Sequence, residues 1–363
     1  MTKSKLIDKG SSGCIFRPQI PCKGKKKRKT NSKVTKLVFD KKNKEYKKNK
    51  EYKIGRKIKN IKGYQEWSLL WNDVCLSPDY EDLVKNTDIN ECLKSQSIDS
   101  EKFPKNSQFL LFQGEYGGPT LDNYVKKEIT KKILQNKNSF VKFFKMIFGL
   151  LQNVFYGLTE LYKHNVSHHD INIRNILVKN NKSYIIDYDT SIILTQHVTK
   201  NDFLTKRIIE EFNNYRLYES YPFEYIYYGL TNPETILNEQ KQIALYQNRL
   251  NYYEIYDPIH HKIFFIDTDN LRFELLEDKL QKTNKTNLNK LMSKLDVYSL
   301  GMMILILFLD SSERLNVSLD VVVKNLKCDE LKPYMVLIKD MIEFDHRDRI
   351  DPLQAYERYL NLI

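Results

Sequence analysis

The chain has 363 residues, 41% hydrophobic and 12% aromatic, which supports a sizeable folded core and argues against a disordered chain. Its formal net charge of +13 is uneven, with basic residues crowding the first sixty or so positions, notably Lys23, Lys25, Lys26, Lys27, Arg28 and Lys29 and a series from Lys41 to Lys62. Five scattered cysteines (Cys14, Cys22, Cys75, Cys92 and Cys328), with no C-x-x-C pair, suit a reducing compartment and give no zinc signature, and no apolar leader follows the start, so a soluble cytoplasmic protein is expected.

Residues 5–8 and 14–16 read as short strands flanking a Gly/Ser turn, 33–39 as a strand rich in β-branched residues, and 109–113 as a short apolar strand. Between them, 44–61 has helical character, while 63–108 lacks a clear period and reads as a partly irregular insertion. The basic run can attract nucleic acid or an anionic surface, but no aromatic platform interleaves the charges, and a solvated loop and helix face is the favoured reading.

From Leu121 onward helices dominate. Phe144, Ile147, Leu151, Val154, Leu158 and Leu161 recur at alternating steps of three and four, the mark of a buried helical stripe. Residues 176–178 and 184–186 read as two strands joined at Asn180-Asn181. A polar stretch, 229–294, forms a second insertion before an apolar helix beginning at Asp296. The most apolar stretches, near 143–151 and 301–309, are too short to span a bilayer and read as core helices, so no membrane span is expected. Strands first and helices later, with a small hairpin at the junction, predict an α+β fold in two lobes.

The stretch His168-His169-Asp170-Ile171-Asn172-Ile173-Arg174-Asn175 runs from a helix end through a polar loop into an apolar strand. An Asp and an Asn so spaced can serve one reaction, the Asp towards a hydroxyl nucleophile and the Asn towards a metal. Tyr184-Ile185-Ile186-Asp187-Tyr188-Asp189 then places a carboxylate at the end of a buried strand. Carboxylate and amide oxygens are hard ligands of the kind Mg²⁺ accepts beside phosphates. Phosphoryl transfer asks for these parts: a positioned hydroxyl, a divalent metal and charge neutralisation.

On these residues the chain resembles the eukaryotic-type protein kinase family. His168–Asn175 looks like the H-R-D-x-x-x-x-N loop, which implies Asp170 as catalytic base and Asn175 as a metal ligand; Asp187-Tyr188-Asp189 looks like D-F-G, which implies Asp187 as the second metal ligand. Asp8-Lys9-Gly10-Ser11-Ser12-Gly13-Cys14-Ile15 resembles the glycine-rich loop, so Gly10, Ser11, Ser12, Gly13 and Ile15 are implied to contact ATP. Lys36 falls where the lysine of the third strand reaches the α/β-phosphates. Its helix partner is assigned to Glu51, which Ile54 and Ile58 follow at apolar spacing, with Glu45 as the alternative.

Phe112-Gln113-Gly114-Glu115-Tyr116-Gly117-Gly118 looks like the hinge, with Glu115 and Tyr116 meeting adenine. Gly114 then takes the gatekeeper position and predicts a deepened back pocket. Tyr221-Pro222-Phe223-Glu224 resembles A-P-E, Leu295-Asp296-Val297-Tyr298-Ser299-Leu300-Gly301 a helix start whose Asp supports the catalytic loop, and Asp345–Ile350 the segment whose Arg349 pairs with Glu224.

The resemblance implies a bilobal kinase-like fold, with a small strand-rich N-lobe over 1–116 and a larger helical C-lobe over 117–363. It further implies ATP and Mg²⁺ as cofactors and a protein substrate. Composition and the opening motif look like serine/threonine kinases of large cytoplasmic DNA viruses, which favours Ser/Thr hydroxyls and a place in host cytoplasm or virion. The chain departs from the pattern at Asp8, His169 and Asp189, and Asp8 and Asp189 leave a second reading open, a pseudokinase scaffold with weak or no nucleotide binding. Small-molecule kinases share the Asp/Asn arrangement, but Glu224, Asp296 and Arg349 argue against that reading, since the resemblance implies that they build the protein-substrate platform. Nothing in the sequence specifies an oligomeric state.

Overall fold

The computed structural model describes residues 4–10, 13–24, 31–38, 49–95, 104–194, 222, 224, 285–343 and 346–363, with 285–290 as backbone only. Strands β1 (Lys5–Lys9), β2 (Gly13–Arg17), β3 (Lys33–Val38), β4 (Asp73–Leu76) and β5 (Leu110–Glu115) form an antiparallel sheet in the order β1-β2-β3-β5-β4. The chain divides into two units, Met1–Gly118 and Pro119–Ile363, and this sheet belongs to the first. With helices beside and after it, the fold is α+β.

Alternation along β2, β3 and β5 gives the sheet two different faces. Cys14, Phe16, Leu37, Phe109 and Leu111 belong to one buried cluster, which Ile20, Tyr80, Leu83, Ile89, Cys92 and Leu93 complete. Val38, Leu110 and Phe112 form another cluster, joined by Tyr52, Trp71 and Val74. Helix α1 (Lys50–Lys59) supplies Tyr52, buries Glu51, Ile54 and Ile58, and starts at Asn49, whose side chain accepts the Tyr52 N–H.

The described part of 63–108 mixes irregular chain with short regular elements. It contributes a turn of 3-10 helix (Tyr64–Glu66), edge strand β4, and helices α2 (Tyr80–Leu83) and α3 (Thr87–Lys94). Helices α2 and α3 cover the sheet face that α1 does not, through Tyr80, Leu83, Ile89, Cys92 and Leu93. Each is too short to impose a period on the sequence, and α3 shows its apolar side only through Ile89, Cys92 and Leu93. One disulfide fastens this cover to the sheet, and a second ties the segment after β2 to edge strand β4. Cys14 of β2 pairs with Cys92 of α3, and Cys22 with Cys75 of β4, closing loops with sequence separations of 78 and 53. Four of five cysteines are thus oxidised and Cys328 alone is free, which corrects the expectation of reduced thiols.

In the second unit, α4 (Leu121–Glu128) and α5 (Lys131–Gln135) lead into α6 (Lys137–Leu150) and α7 (Gln152–Lys163). The expected stripe is real but crosses two helices. Leu151 sits between them, and Val154 and Phe155 both donate N–H to its carbonyl, so the apolar side continues through the break. Two small antiparallel pairs follow, β6 (Val166–Ser167) with β9 (Ile192–Ile193), and β7 (Ile176–Lys179) with β8 (Lys182–Ile185). The turn of the second pair holds Asn180 and Asn181 at φ 53 and 56°, a left-handed conformation asparagine tolerates.

Helix α8 (Lys285–Arg314) begins before the expected Asp296, because its polar first turns carry no apolar period. Its stretch Leu291–Arg314 is long and apolar enough to cross a membrane by length and composition; 94% of its apolar window is buried inside the protein. Helices α9 (Leu319–Leu326), α10 (Lys332–Met341) and α11 (Pro352–Leu360) complete the described chain. Aromatic rings knit the core: Phe144 of α6 stacks on Phe308 of α8 at 5.2 Å, Phe148 meets Tyr334 of α10 edge-on at 4.9 Å, and Phe155 of α7 stacks on Tyr359 of α11 at 4.2 Å.

Candidate functional site

Each unit carries polar side chains that burial alone would forbid. In the first, Lys36 stands mid-strand on β3, opposite Ile15 of β2 and Phe112 of β5. Its Nζ donates to Glu51 Oε2 at 2.9 Å, and both side chains are 6% exposed. The other carboxylate oxygen of Glu51, Oε1, accepts from Trp71 Nε1 at 2.6 Å. The structure therefore brings Lys36 together with Glu51; Glu45 lies outside the described residues.

Gly10 and Gly13 bracket the turn between β1 and β2, and Gly10 N–H closes it on the Gly13 carbonyl at 2.9 Å. Gly13 is glycine for a packing reason, since a Cβ there would run into the Leu37 carbonyl of β3. Ser11 and Ser12 lie outside the described residues. Asp8 is exposed on β1 and accepts its neighbour's N–H, from Lys9, at 2.8 Å. Glu115 ends β5 opposite Lys33, while the Tyr116 N–H is taken by the Ser32 carbonyl at 2.7 Å and its ring lies 3.7 Å beneath the Arg17 guanidinium. The deepened pocket expected at Gly114 is filled. A Cβ at Gly114 would sit 3.1 Å from Trp71 Cε3 and 3.5 Å from the Leu70 carbonyl oxygen.

In the second unit, the loop after β6 centres on Asp170, which is 1% exposed. Asn172 Nδ2 donates to its Oδ1 at 2.9 Å and Asn175 Nδ2 to its Oδ2 at 2.7 Å, so a donor fixes each carboxylate oxygen. Asn172 is locked in turn, because its Oδ1 accepts the Arg174 N–H at 2.9 Å. Asn172 is assigned no role from the sequence; its spacing two residues after Asp170 was the available signal.

Buried Asp296 of α8 holds the loop's entry. It accepts from Ser167 Oγ at 2.9 Å, His168 N at 2.6 Å and His169 N at 2.8 Å. Burial pushes its carboxyl above the usual range, and the nearby His168 and these donors pull the other way. His169, at φ 65°, takes the left-handed turn that aims consecutive N–H groups at one carboxylate.

His168 Nε2 lies 3.0 Å from the Ile186 carbonyl, and His168 Nδ1 accepts the Asp170 N–H at 3.2 Å. These partners specify the neutral Nε2–H tautomer. Burial lowers the His168 pKa against the opposing pull of Asp296. Tyr188 packs edge-on against the ring at 4.8 Å.

The Ile186 peptide is fixed at both ends, its carbonyl by His168 and its N–H by the Asn175 carbonyl at 3.0 Å, which places Asp187 directly after a clamped residue. Asp187 itself has φ 62°. The left-handed residue of the Asp-Tyr-Asp triplet is therefore the first, so Asp189 has no need of glycine's freedom. Asn175 spends its Nδ2 on Asp170, and its Oδ1 has no donor among the described residues. The amide oxygen of Asn175 and the carboxylate of Asp187, the residue after the Ile186 that bonds the Asn175 backbone, are hard donors of the kind Mg²⁺ takes. Among the described residues no three His, Cys, Asp or Glu side chains could hold a metal by themselves.

Glu224 and Arg349 form a buried ion pair at 2.8 Å, both 1% exposed, and the guanidinium lies over the Tyr298 ring at 4.7 Å. Of the four residues Tyr221-Pro222-Phe223-Glu224, Tyr221 and Phe223 lie outside the described residues, as does most of the stretch 229–294. No protein-family model matches the chain, and no curated protein matches it.

Proposed function

We propose that the chain is a protein kinase of bilobal fold, transferring the γ-phosphate of ATP to serine or threonine hydroxyls of protein substrates. The observation that carries this reading is the Asp170 carboxylate, bonded on one oxygen by Asn172 and on the other by Asn175, in a loop whose N–H groups close on Asp296. That arrangement holds one buried acceptor in a fixed direction, as a base that must orient a hydroxyl requires. The buried Lys36–Glu51 pair adds support, since such a pair is weak evidence for stability and so invites another use.

In this reading the substrate hydroxyl gives its proton to Asp170 as its oxygen bonds to the γ-phosphorus. The bond from that phosphorus to the β–γ bridging oxygen breaks, and ADP leaves. Lys36 neutralises the α/β-phosphates, and Glu51 keeps its ammonium aimed. Asn175 and Asp187 would hold Mg²⁺, which when bound supplies charge neutralisation at the phosphates; it commonly takes one or two protein ligands and completes its shell with phosphate and water oxygens, so no third carboxylate is needed. The Glu224–Arg349 pair favours a protein acceptor over a small molecule, because the resemblance assigns it to the protein-substrate platform.

The test is incubation of the chain with γ-labelled ATP and Mg²⁺ beside generic basic and acidic proteins, followed by phosphoamino-acid analysis. Label on phosphoserine or phosphothreonine is expected. Absence of both transfer and nucleotide binding would overturn the reading in favour of a pseudokinase scaffold.

A further inference from the structure

Trp71 occupies the space that a side chain at position 114 would need. An ideal Cβ on Gly114 comes within 3.1 Å of Trp71 Cε3, so ring and side chain cannot both fit without movement. The same indole donates Nε1–H to Glu51 Oε1 at 2.6 Å, on the carboxylate whose other oxygen takes Lys36 Nζ at 2.9 Å. The main chain of Trp71 is tied to the same helix at its other end, because Lys59 Nζ in the last turn of α1 donates to the Trp71 carbonyl at 2.7 Å. The next residue, Asn72, donates its N–H to Gln113 of β5 at 2.8 Å, and the indole packs against Phe112 with ring centres 6.3 Å apart. Trp71 therefore joins both ends of α1 to the sheet through one residue.

We infer that Trp71 is a positioning residue for the Lys36–Glu51 pair, and that Gly114 is glycine because the indole needs its side-chain space. A carboxylate held only by Lys36 could follow α1 away from the sheet. With the indole N–H on its second oxygen and Lys59 on the Trp71 carbonyl, α1 and β3 are held in the paired arrangement by residues of the chain itself. No modification or partner is required to form the pair. The role of the pair rests on the kinase reading; the clamp itself does not.

Two measurements separate those claims. The chain has only two tryptophans, Trp67 and Trp71, so indole ¹⁵N–¹H spectra carry two signals, assigned with Trp67→Phe. The Trp71 signal is expected to exchange slowly with solvent and to move in Glu51→Gln. A Trp71 signal indifferent to Glu51→Gln would overturn the clamp whatever the chain catalyses. In phosphate transfer, Trp71→Phe, which keeps a ring and loses the N–H, is expected to lower kcat/KM for ATP about ten- to hundredfold, the scale of a hydrogen bond to a charged group. Gly114→Ala, which crowds the ring, should lower it in the same direction. Wild-type activity in Trp71→Phe would overturn the positioning role. A wild-type chain that transfers no phosphate would sink the kinase reading instead, while the spectra still decide the clamp.

Discussion

His168 shows how one residue can carry a pH signature. Its Nδ1 accepts a backbone N–H and its Nε2 faces a carbonyl, so the folded ring has no place for a second proton. Burial lowers its pKa from the ordinary 6.5, and the carboxylates of Asp296, Asp187 and Asp189 oppose that shift without reversing it. The unfolded chain takes up a proton near pH 6.5 that the folded chain refuses. Stability is therefore expected to fall as pH drops below that value, by at most about 1.4 kcal/mol per pH unit from this group. Denaturation midpoints between pH 7 and 5 should show a shallower decline in His168→Gln than in wild type; equal slopes would remove His168 from the effect. At this scale the sequence was legible where spacing carried the message. Asp170, Asn175 and Asp187 announce themselves by position, and Asp296 by the residues around it. Asn172 and Trp71 do not, because one reads as an ordinary polar loop residue and the other as an isolated aromatic.

Among elements, the cover of the sheet's second face has the most to teach. Strands β1, β2, β3 and β5 were readable from short apolar and β-branched runs, whereas β4, α2 and α3 were not, since four to eight residues hold too few turns for a period to emerge. The disulfides were equally hidden, because their partners lie 78 and 53 residues apart and no local pattern links them. In the chain-entropy account, loops of this size give about 4 kcal/mol of stabilisation each. Reduction is expected to lower the denaturant midpoint of the first unit, and Cys92→Ser should reproduce part of the loss. Thiol titration of the unreduced, denatured chain should find one group, Cys328. Five titratable thiols, or a midpoint unmoved by reductant, would contradict the pairing.

Across the whole molecule, α+β character and the order of strands before helices were visible in composition and periodicity. The boundaries of α6, α7 and α8 were not, because an apolar stripe passes smoothly through the break at Leu151 and polar turns open α8. The Glu224–Arg349 pair joins residues far apart in sequence, and both partners are buried. Arg349→Ala leaves a buried carboxylate uncompensated and is expected to cost about 3–5 kcal/mol of stability in the second unit, measured by chemical denaturation; an unchanged midpoint would argue that the pair is not formed. The most direct test of the function is phosphate transfer from γ-labelled ATP with Mg²⁺ to protein, in wild type and in Asp170→Ala and Asp187→Ala. Transfer by wild type, reduced about 10²–10⁴-fold in Asp170→Ala and also lost in Asp187→Ala, is the expected result. Near-normal turnover in Asp170→Ala would contradict the assignment of Asp170 as the base and the mechanism built on it.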